Sequence, residues 1–303
     1  MLIVQGAVSL GLIFSLMAMG VYLTFRVLEM PDLSAEGSII LGAGTAARLV
    51  SGGFNPFVAT FIATLVGCVA GLVTGVLHTK FKIPPILAGI LTMVASYSVV
   101  IRIMGTSNVA LLPHGPNRVT SVFTFLQEAG LSRQAAIILL SAVMVVVVGV
   151  VLYCFLGTEA GSAMRATGNN RHMVKAQGIS TDAMVILCLM ISNGLIGLTG
   201  ALWAQQQGFA SVDMGIGTIV IGLASVIIAE VLFRVRNVWA RLITLVVGSI
   251  IYRLIIALAL NLDFLSPTDL RLLTAVIVTI ALTLPLIVEK FSKPIDKTKG
   301  RRK

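Results

Sequence analysis

The sequence predicts an all-α polytopic membrane protein with about nine transmembrane helices. The chain of 303 residues is 57% hydrophobic and only 11% charged, and its mean hydropathy is +1.01. Soluble domains carry about a quarter charged residues, and one soluble core of this size cannot bury so much apolar surface. The apolar residues also fall into runs of about twenty, which is the length that a helix needs to cross a bilayer.

The apolar runs give the order of the predicted spans. The first run lacks a basic leader and a small-residue cleavage site, so we interpret it as a retained span. The second is short, rich in glycine and ends at Arg48, which is typical of a broken or tilted helix. We predict one transmembrane domain over 1–290, with a polar loop over 157–182, and a basic tail over 291–303. The predicted spans are 4–25, 36–51, 56–77, 84–104, 134–156, 183–205, 215–232, 238–260 and 270–289.

The distribution of basic residues predicts the orientation. Nine spans put the two chain ends on opposite sides of the membrane. Most Lys and Arg residues, and every lysine, fall in the tail and in the connections on the same side as the tail. Basic residues are enriched in cytoplasmic loops, so we predict that the N-terminus is outside and that the tail and the polar loop are cytoplasmic. The net charge of +10 therefore indicates contact with the lipid membrane rather than nucleic-acid binding.

The longest connection on the outer side is 105–133. Pro113, Gly115 and Pro116 exclude a regular helix through its middle, whereas residues 120–129 can form a short helix. The pattern is compatible with a solvated loop, with a cap over a pathway, or with a docking site for an external partner.

The polar loop contains the stretch "GTEAGSAMRATGNNRHMVKAQGIS" between two strongly apolar runs. Its residues predict short surface helices near 158–167 and 170–177. Asn169 or Asn170 can cap the second helix, because an Asn side chain accepts from free N–H groups of the first turn. Gly178 can end it in the left-handed conformation. The small residues permit close contact with another body, and Glu159 and Arg165 can fix the loop to itself or to a partner. These residues leave open whether the loop only sets topology or docks a partner.

Polar residues inside spans are functional candidates in a membrane protein. Ser96, Asn193, Gln205 and Arg253 are the predicted pathway residues. Arg253 and Glu230 can pair or serve an interface, although we favour a Glu230 side chain that reaches the inner surface. Asp32, Ser34 and Glu36 are predicted caps of the second span. Glycines spaced along two spans predict close helix contacts; they are Gly67, Gly71 and Gly75, and Gly194, Gly197 and Gly200.

The polar loop resembles the cytoplasmic coupling loop of bacterial ABC importer permeases of the branched-chain amino acid and ribose permease family. The matching features are the G-x-x-x-R-A-x-G run from Gly161 to Gly168, then Asn169, Ala176 and the Gly178–Ile179 pair. The stretch "PDLSAEGSIILGA" at 31–43 resembles the segment that opens the second span in that family. The stretch "AEVLFRVRNVWAR" at 229–241 departs from the glycine-rich turn of many members. It is similar to a less characterised subgroup associated with amino-acid uptake.

The resemblance implies the membrane-spanning permease subunit of an ATP-driven importer in the bacterial plasma (inner) membrane. It implies a homodimer, an ABC ATPase subunit docked on the coupling loop, and an extracytoplasmic solute-binding protein. The solute that it implies is an amino acid, with aromatic ones plausible for the subgroup; a sugar or nucleoside stays open. The implied ATPase-coupling residues are Glu159, Gly161, Arg165, Ala166, Gly168, Asn169, Ala176 and Gly178.

The residues also bear on other function classes. The chain has no G-x-x-x-x-G-K-[ST] motif for binding nucleotide phosphates. We therefore expect no catalytic site and no nucleotide cofactor on this chain, and the resemblance implies that the partner holds ATP and Mg. Cys68, Cys154 and Cys188 lie inside apolar runs without CxxC spacing or a nearby His, so we also expect no metal site. A gradient-driven secondary transporter is the main alternative, although internal repeats and deep coupling carboxylates, which are common in that class, are not evident. An intramembrane enzyme is a third, but the three histidines are far apart in loops or at span ends.

Overall fold

The computed structural model describes residues 2–111, 121–233, 235 and 237–259, with a few isolated positions beyond. These residues form eleven α-helices and two short β-strands. The helices are α1 (Leu2–Tyr22), α2 (Ala35–Ser51), α3 (Pro56–Thr79), α4 (Pro85–Met104), α5 (Thr124–Glu128), α6 (Arg133–Gly157), α7 (Glu159–Asn169), α8 (Arg171–Ala176), α9 (Thr181–Gln207), α10 (Thr218–Leu232) and α11 (Val238–Ala259). The strands are β1 (Asn108–Ala110) and β2 (Phe209–Ser211); a π-helical turn covers Leu23–Val27 and a 3-10 turn covers Val212–Gly215.

Seven helical stretches in the described part of the chain are long and apolar enough to cross a membrane. They are α1 with its π-helical turn, α3, α4, α6, α9, α10 with the preceding 3-10 turn, and α11. The prediction of an all-α polytopic membrane protein is therefore confirmed. The predicted span 270–289 and the basic tail 291–303 lie outside the described residues.

The bundle has two ends, which we name by the elements found there. The α7 end carries α7 and α8, and α6 finishes at it while α9 starts at it. The β end carries β1 and β2, which pair antiparallel with Val109 opposite Ala210. The short helix α5 lies in the same connection as β1, between α4 and α6. The predicted helix near 120–129 is therefore confirmed.

The centre of the bundle is α9, against which α2 and α3 pack most extensively. Glycines allow the backbones to approach closely. A methyl group added at Gly67 or Gly71 would overlap the backbone carbonyl of Asn193 or Leu189, and one at Gly200 would overlap that of Ile39. The predicted role of the two glycine series in close helix contact is confirmed.

Helix α2 is enclosed by α3, α4, α9 and the β strands. From Gly37 to Ala47 every residue is buried, although this stretch has the weakest span signal of the predicted spans. The burial explains the weak signal, because a helix covered by protein rather than by lipid can contain glycine and hydroxyl side chains.

The start of α2 lies deep within the bundle. Its first turn contacts Asn193 through Ser34 and Ser38. Asn193 is about 18 Å along α9 from Thr181 and about 21 Å from Gln207, at 1.5 Å of rise per residue. The sequence prediction of a broken or tilted helix is replaced by a regular helix that begins near the middle of the bundle and runs to the β end.

Residues 28–34 connect the π-helical turn to α2, and we call them the return segment. The chain passes the α7 end at Val27 and returns through this segment to mid-depth. Leu28, Met30 and Asp32 are buried, whereas Glu29 and Pro31 are exposed. Glu29 adopts a left-handed φ of 53°, which non-glycine residues rarely adopt.

Helix α10 also starts near mid-depth. The N–H of Gly217, which precedes α10, donates to Oε1 of Glu36 over 3.0 Å. From there α10 runs to the α7 end, where Glu230 pairs with Arg26. Helices α2 and α10 run in opposite directions, and this hydrogen bond joins them at their N-terminal ends.

Candidate coupling site and buried polar core

The segment from Thr158 to Gly178 folds into two short helices with well-formed ends. The Thr158 hydroxyl accepts from the N–H of Gly161 over 3.2 Å and caps α7. The Asn170 side chain accepts from the N–H groups of His172 and Met173, both at 3.1 Å, and caps α8. Gly178 has a left-handed φ of 79° directly after α8. The predicted helix pair is confirmed; Asn170 is the cap, and Asn169 is the last residue of α7.

One face of α7 is fixed to the bundle. Gly161, Met164 and Thr167 are buried. A methyl group at Gly161 would overlap the backbone of Phe155 and Leu156 at the end of α6. At the other end of α7, a methyl group at Gly168 would overlap the carbonyl of Val27, the last residue of the π-helical turn. Helix α7 therefore lies in backbone contact with two spans, one at each of its ends.

The opposite face of α7 and most of α8 are exposed, and we call this surface the docking face. It is polar and mostly basic, with one apolar contact, Met173, which is 46% exposed. Flexible Met side chains adapt readily to a partner surface. The exposed residues of the docking face are Glu159, Ser162, Arg165, Asn169, Arg171, His172, Met173, Lys175 and Ala176; Ala166 is half-buried, and Gly178 is exposed beyond α8.

Arg165 has an internal structural role. Its Nη2 donates to the carbonyl oxygen of Leu156 over 3.0 Å and to Oγ of Ser162 over 3.2 Å. The carbonyls of the last turn of a helix lack partners within the helix, so this guanidinium caps α6 and joins it to α7. Of the two charges expected to fix the loop, Arg165 fixes it to the bundle and Glu159 is exposed.

A buried polar cluster joins the return segment, α2 and α9. Asp32 Oδ1 accepts from the Ser34 N–H over 2.9 Å and from the Ser34 hydroxyl over 2.5 Å. Asp32 Oδ2 accepts from Asn193 Nδ2 over 2.8 Å, and Asn193 Oδ1 accepts from the Ser38 hydroxyl over 2.6 Å. Each of these four residues is at most 6% exposed. A buried carboxylate is tolerated only when it is well hydrogen-bonded, and here both of its oxygens are used.

The cluster corrects the predicted capping of the second span. Ser34 occupies the capping position of α2, yet its side chain makes no capping hydrogen bond. Its hydroxyl turns back to Asp32 instead, while Glu36 accepts from Gly217 at the start of α10. These polar residues connect different elements rather than closing one helix end.

The four predicted pathway residues are not brought together. Asn193 belongs to the polar cluster. Ser96 is 3% exposed and packs against Gly37 in the first turn of α2, so it lies close to that cluster. Gln205 and Arg253 lie elsewhere.

Gln205 holds the β end together. Its Oε1 accepts from the Val122 N–H over 2.9 Å, and its Nε2 donates to the Thr60 hydroxyl over 2.8 Å. A buried side chain of α9 thus fixes the connection before α5 to α3. This contact gives the long connection 105–133 an attachment point at the β end.

Arg253 lies with its guanidinium carbon 3.7 Å from the centre of the Phe14 ring, a cation–π arrangement. Its Nε and Nη2 have no hydrogen-bond partner within the described part of the chain. Of the alternatives left open for Arg253, pairing with Glu230 is not found, because Glu230 pairs with Arg26 at the end of the first span.

Sequence reasoning missed the link between Asp32 and Asn193, which are 161 positions apart. Each residue carries a signal of its own, since a carboxylate and an amide beside or within apolar runs need partners. Composition cannot show that they are partners of each other. No group of three or more His, Cys, Asp or Glu that could hold a metal occurs among the described residues.

The hydrogen bond from Ser38 to Asn193 gives a measurable prediction. We expect Ser38→Ala to lower the free energy of unfolding by about 0.5–2 kcal/mol, the range for one buried hydrogen bond. Thermal unfolding of the purified chain in detergent checks this. The matched control is Ser141→Ala in α6, because Ser141 is equally buried and its hydroxyl has no partner among the described residues. Equal effects of the two substitutions would contradict the prediction.

Comparison with known proteins agrees with this architecture. The family described as "Branched-chain amino acid transport system / permease component" matches residues 3–283. A "Tyrosine transport system permease protein" of Clostridioides difficile is 44% identical over 268 residues, covering 88% of this chain and 86% of the relative. An uncharacterised protein of Rickettsia prowazekii is 28% identical over 281 residues, covering 91% and 95%. No solved structure matches the chain significantly.

The match extends over nearly the whole chain and includes α7, α8 and the polar cluster. The chain therefore belongs to the family of branched-chain amino acid transport system permease components, and it is a multi-pass inner-membrane permease of an ABC import system.

Proposed function

We propose that the chain forms the translocation pathway of an ATP-driven amino-acid importer, and that a separate ATPase subunit binds its docking face. The observation that carries this proposal is the construction of α7 and α8. One face is in backbone contact with the ends of two spans, and the other face is exposed and polar. A force applied to such a helix reaches the spans directly. The α7 end is then cytoplasmic, in agreement with the basic residues of the sequence.

The proposed pathway lies between two copies of the chain. Helix α2 packs against the central helix α9 and is buried on all sides from Gly37 to Ala47, so no channel runs along these two helices in the described part of one copy. Glu36 and Asp213 keep half-exposed and exposed carboxylates on elements that start or turn near mid-depth. Carboxylates are costly in contact with hydrocarbon, which supports a face that meets water or a second copy. A homodimer satisfies both observations.

The proposed solute is an amino acid of the tyrosine type. The support is the 44% identical relative, which is named as a tyrosine transport permease. An extracytoplasmic solute-binding protein would deliver the solute at the β end, where Gln205 orders the outer connection. ATP and Mg would be held by the ATPase partner, so this chain has no catalytic role in the proposal.

Purification from the native cells tests the docking of an ATPase. We expect a tagged chain to retain a soluble ATPase, and we expect Arg171→Glu with Lys175→Glu to lower the retained amount at least tenfold, since two of the three Arg and Lys charges of the docking face are reversed. The matched control is Lys80→Glu, an exposed lysine after α3 on the same end of the bundle. Equal retention by the docking-face variant and the control would refute the docking face.

Uptake by the purified importer tests the solute. With the co-purified ATPase and the solute-binding protein in proteoliposomes, we expect ATP-dependent uptake of labelled L-tyrosine that unlabelled aromatic amino acids inhibit. Inhibition by a sugar or a nucleoside, with none by amino acids, would overturn the assigned solute class and leave the docking result standing.

A further inference from the structure

The contact between α7 and the return segment suggests how movement enters the bundle. Gly168 lies directly on the carbonyl of Val27 and close to the carbonyl carbon of Leu28. Arg171, the first residue of α8, places Nη2 4.0 Å from Sδ of Met30. The junction of the two coupling helices therefore contacts the start of the return segment at more than one point, and it cannot shift without moving this segment.

The return segment has a backbone that can change its path. It follows a five-residue π-helical turn. Such turns are rare in proteins, and those that occur are often found at functional sites. Glu29 holds a left-handed φ of 53°, which costs free energy unless the surroundings fix it. The N–H of Met30 reaches back to the carbonyl of Thr24 over 2.9 Å. Glu29 is therefore flanked by the π-helical turn on one side and by non-helical residues 30–34 on the other.

The far end of the return segment is held by side chains. Asp32 is bound to Asn193 of α9, and Ser34 leads directly into α2. One turn later, Glu36 binds the N–H that precedes α10. A displacement of the return segment therefore reaches the first turn of α2, and through Glu36 it reaches the start of α10.

We propose that the return segment 28–34 transmits movement of α7 to the mid-depth starts of α2 and α10, and that Asp32 and Asn193 are positioning residues that hold its far end. The inference rests on the proposed docking of an ATPase on α7. In this arrangement the hydrolysis cycle acts on the centre of the membrane through seven residues of non-helical chain, rather than through rigid movement of a whole span.

Labelling of a cysteine in the return segment tests the movement. Cys68, Cys154 and Cys188 are first replaced by alanine, and Glu29→Cys is introduced, since Glu29 is exposed. In the importer assembled with its ATPase, we expect the rate of reaction with a charged maleimide to change at least fivefold when ATP and vanadate trap the ATPase. The matched control is Phe54→Cys, which is 55% exposed beyond the other end of α2 and should react at an unchanged rate.

An exchange of two side chains tests the positioning role. Asn193→Asp places a second carboxylate beside Asp32 with almost no change in side-chain volume. The two carboxylates cannot both be ionised at this hydrogen-bonding distance. We expect tyrosine uptake per ATP hydrolysed to fall at least tenfold, and the response at position 29 to be lost. Adding Asp32→Asn restores one amide and one carboxylate, so the donor and acceptor pair re-forms with its direction reversed. We expect this double variant to recover at least half of the coupling ratio.

The outcomes separate the two proposals. A wild-type chain that retains no ATPase would overturn both. Retention of an active ATPase with no change in labelling at position 29 would overturn the inference alone. So would normal coupling in Asn193→Asp, or a stably folded double variant that does not recover.

Discussion

Gly168→Ala is expected to reduce the proposed ATP-dependent uptake of tyrosine at least tenfold while the bundle stays folded. The added methyl group would overlap the carbonyl of Val27, and backbone atoms cannot move aside as a flexible side chain can. The strain of about 1–3 kcal/mol for an overpacked contact is relieved when the last turn of α7 lifts from the π-helical turn. ATP hydrolysis then continues without transport. The measurement compares uptake with ATPase rate in the same proteoliposomes.

The matched control for this substitution is Gly157→Ala. Gly157 is the last residue of α6, and no heavy atom lies within 4 Å of the added methyl group. It lies eleven positions earlier and also beside α7. If uptake by Gly168→Ala stays within twofold of the control, contact with the π-helical turn is not needed for coupling.

Gly200→Ala is expected to have the largest effect on stability. The added methyl group would overlap the Ile39 carbonyl and approach the Ala43 nitrogen to 3.0 Å, so α2 and α9 must separate. The free energy of unfolding should fall by about 1–3 kcal/mol or more, and yield in the membrane should fall with it. Thermal unfolding in detergent and the amount of monodisperse chain are the measurements.

Gly6→Ala is the control, and its expected change in the free energy of unfolding is zero or stabilising. Gly6 lies in α1, and nothing lies within 4 Å of the added methyl group. Alanine favours a helix over glycine by about 0.5–1 kcal/mol, so this variant should be as stable as the wild type or more stable. A Gly200→Ala chain with the thermal stability of Gly6→Ala would show that α2 and α9 do not need their close contact.

The local features of the candidate site were predictable because they depend on neighbouring residues. The helix pair, its cap at Asn170 and its end at Gly178 follow from side-chain chemistry within one turn. The contact of Gly168 with Val27 does not, since 141 positions separate the two residues. The sequence marks Gly168 as small but gives no indication of the surface that requires it to be small.

For the spans too, the features that depend on local sequence were predictable and the contacts between distant residues were not. Runs of apolar residues identified the helices that are long enough to cross the membrane, including α1 and α9, which are mostly buried. Helix α2 gave a weak signal because it is short and polar for a span, and protein supplies partners for Ser34 and Ser38. Glu230 pairs with Arg26 at the end of the first span, whereas Arg253 lies against the Phe14 ring.

The enclosure of α2 also has a consequence for biosynthesis. The helix cannot reside stably among lipids with a carboxylate before it and hydroxyls along it, yet Asn193, to which Ser38 is bonded, is synthesised 155 residues later. At about 5–20 residues per second, this delay is roughly 10–30 s. During that time the nascent segment needs temporary shelter, either in the insertion machinery or at the membrane surface. Its final insertion therefore waits for the synthesis of α9, about two thirds of the way along the chain.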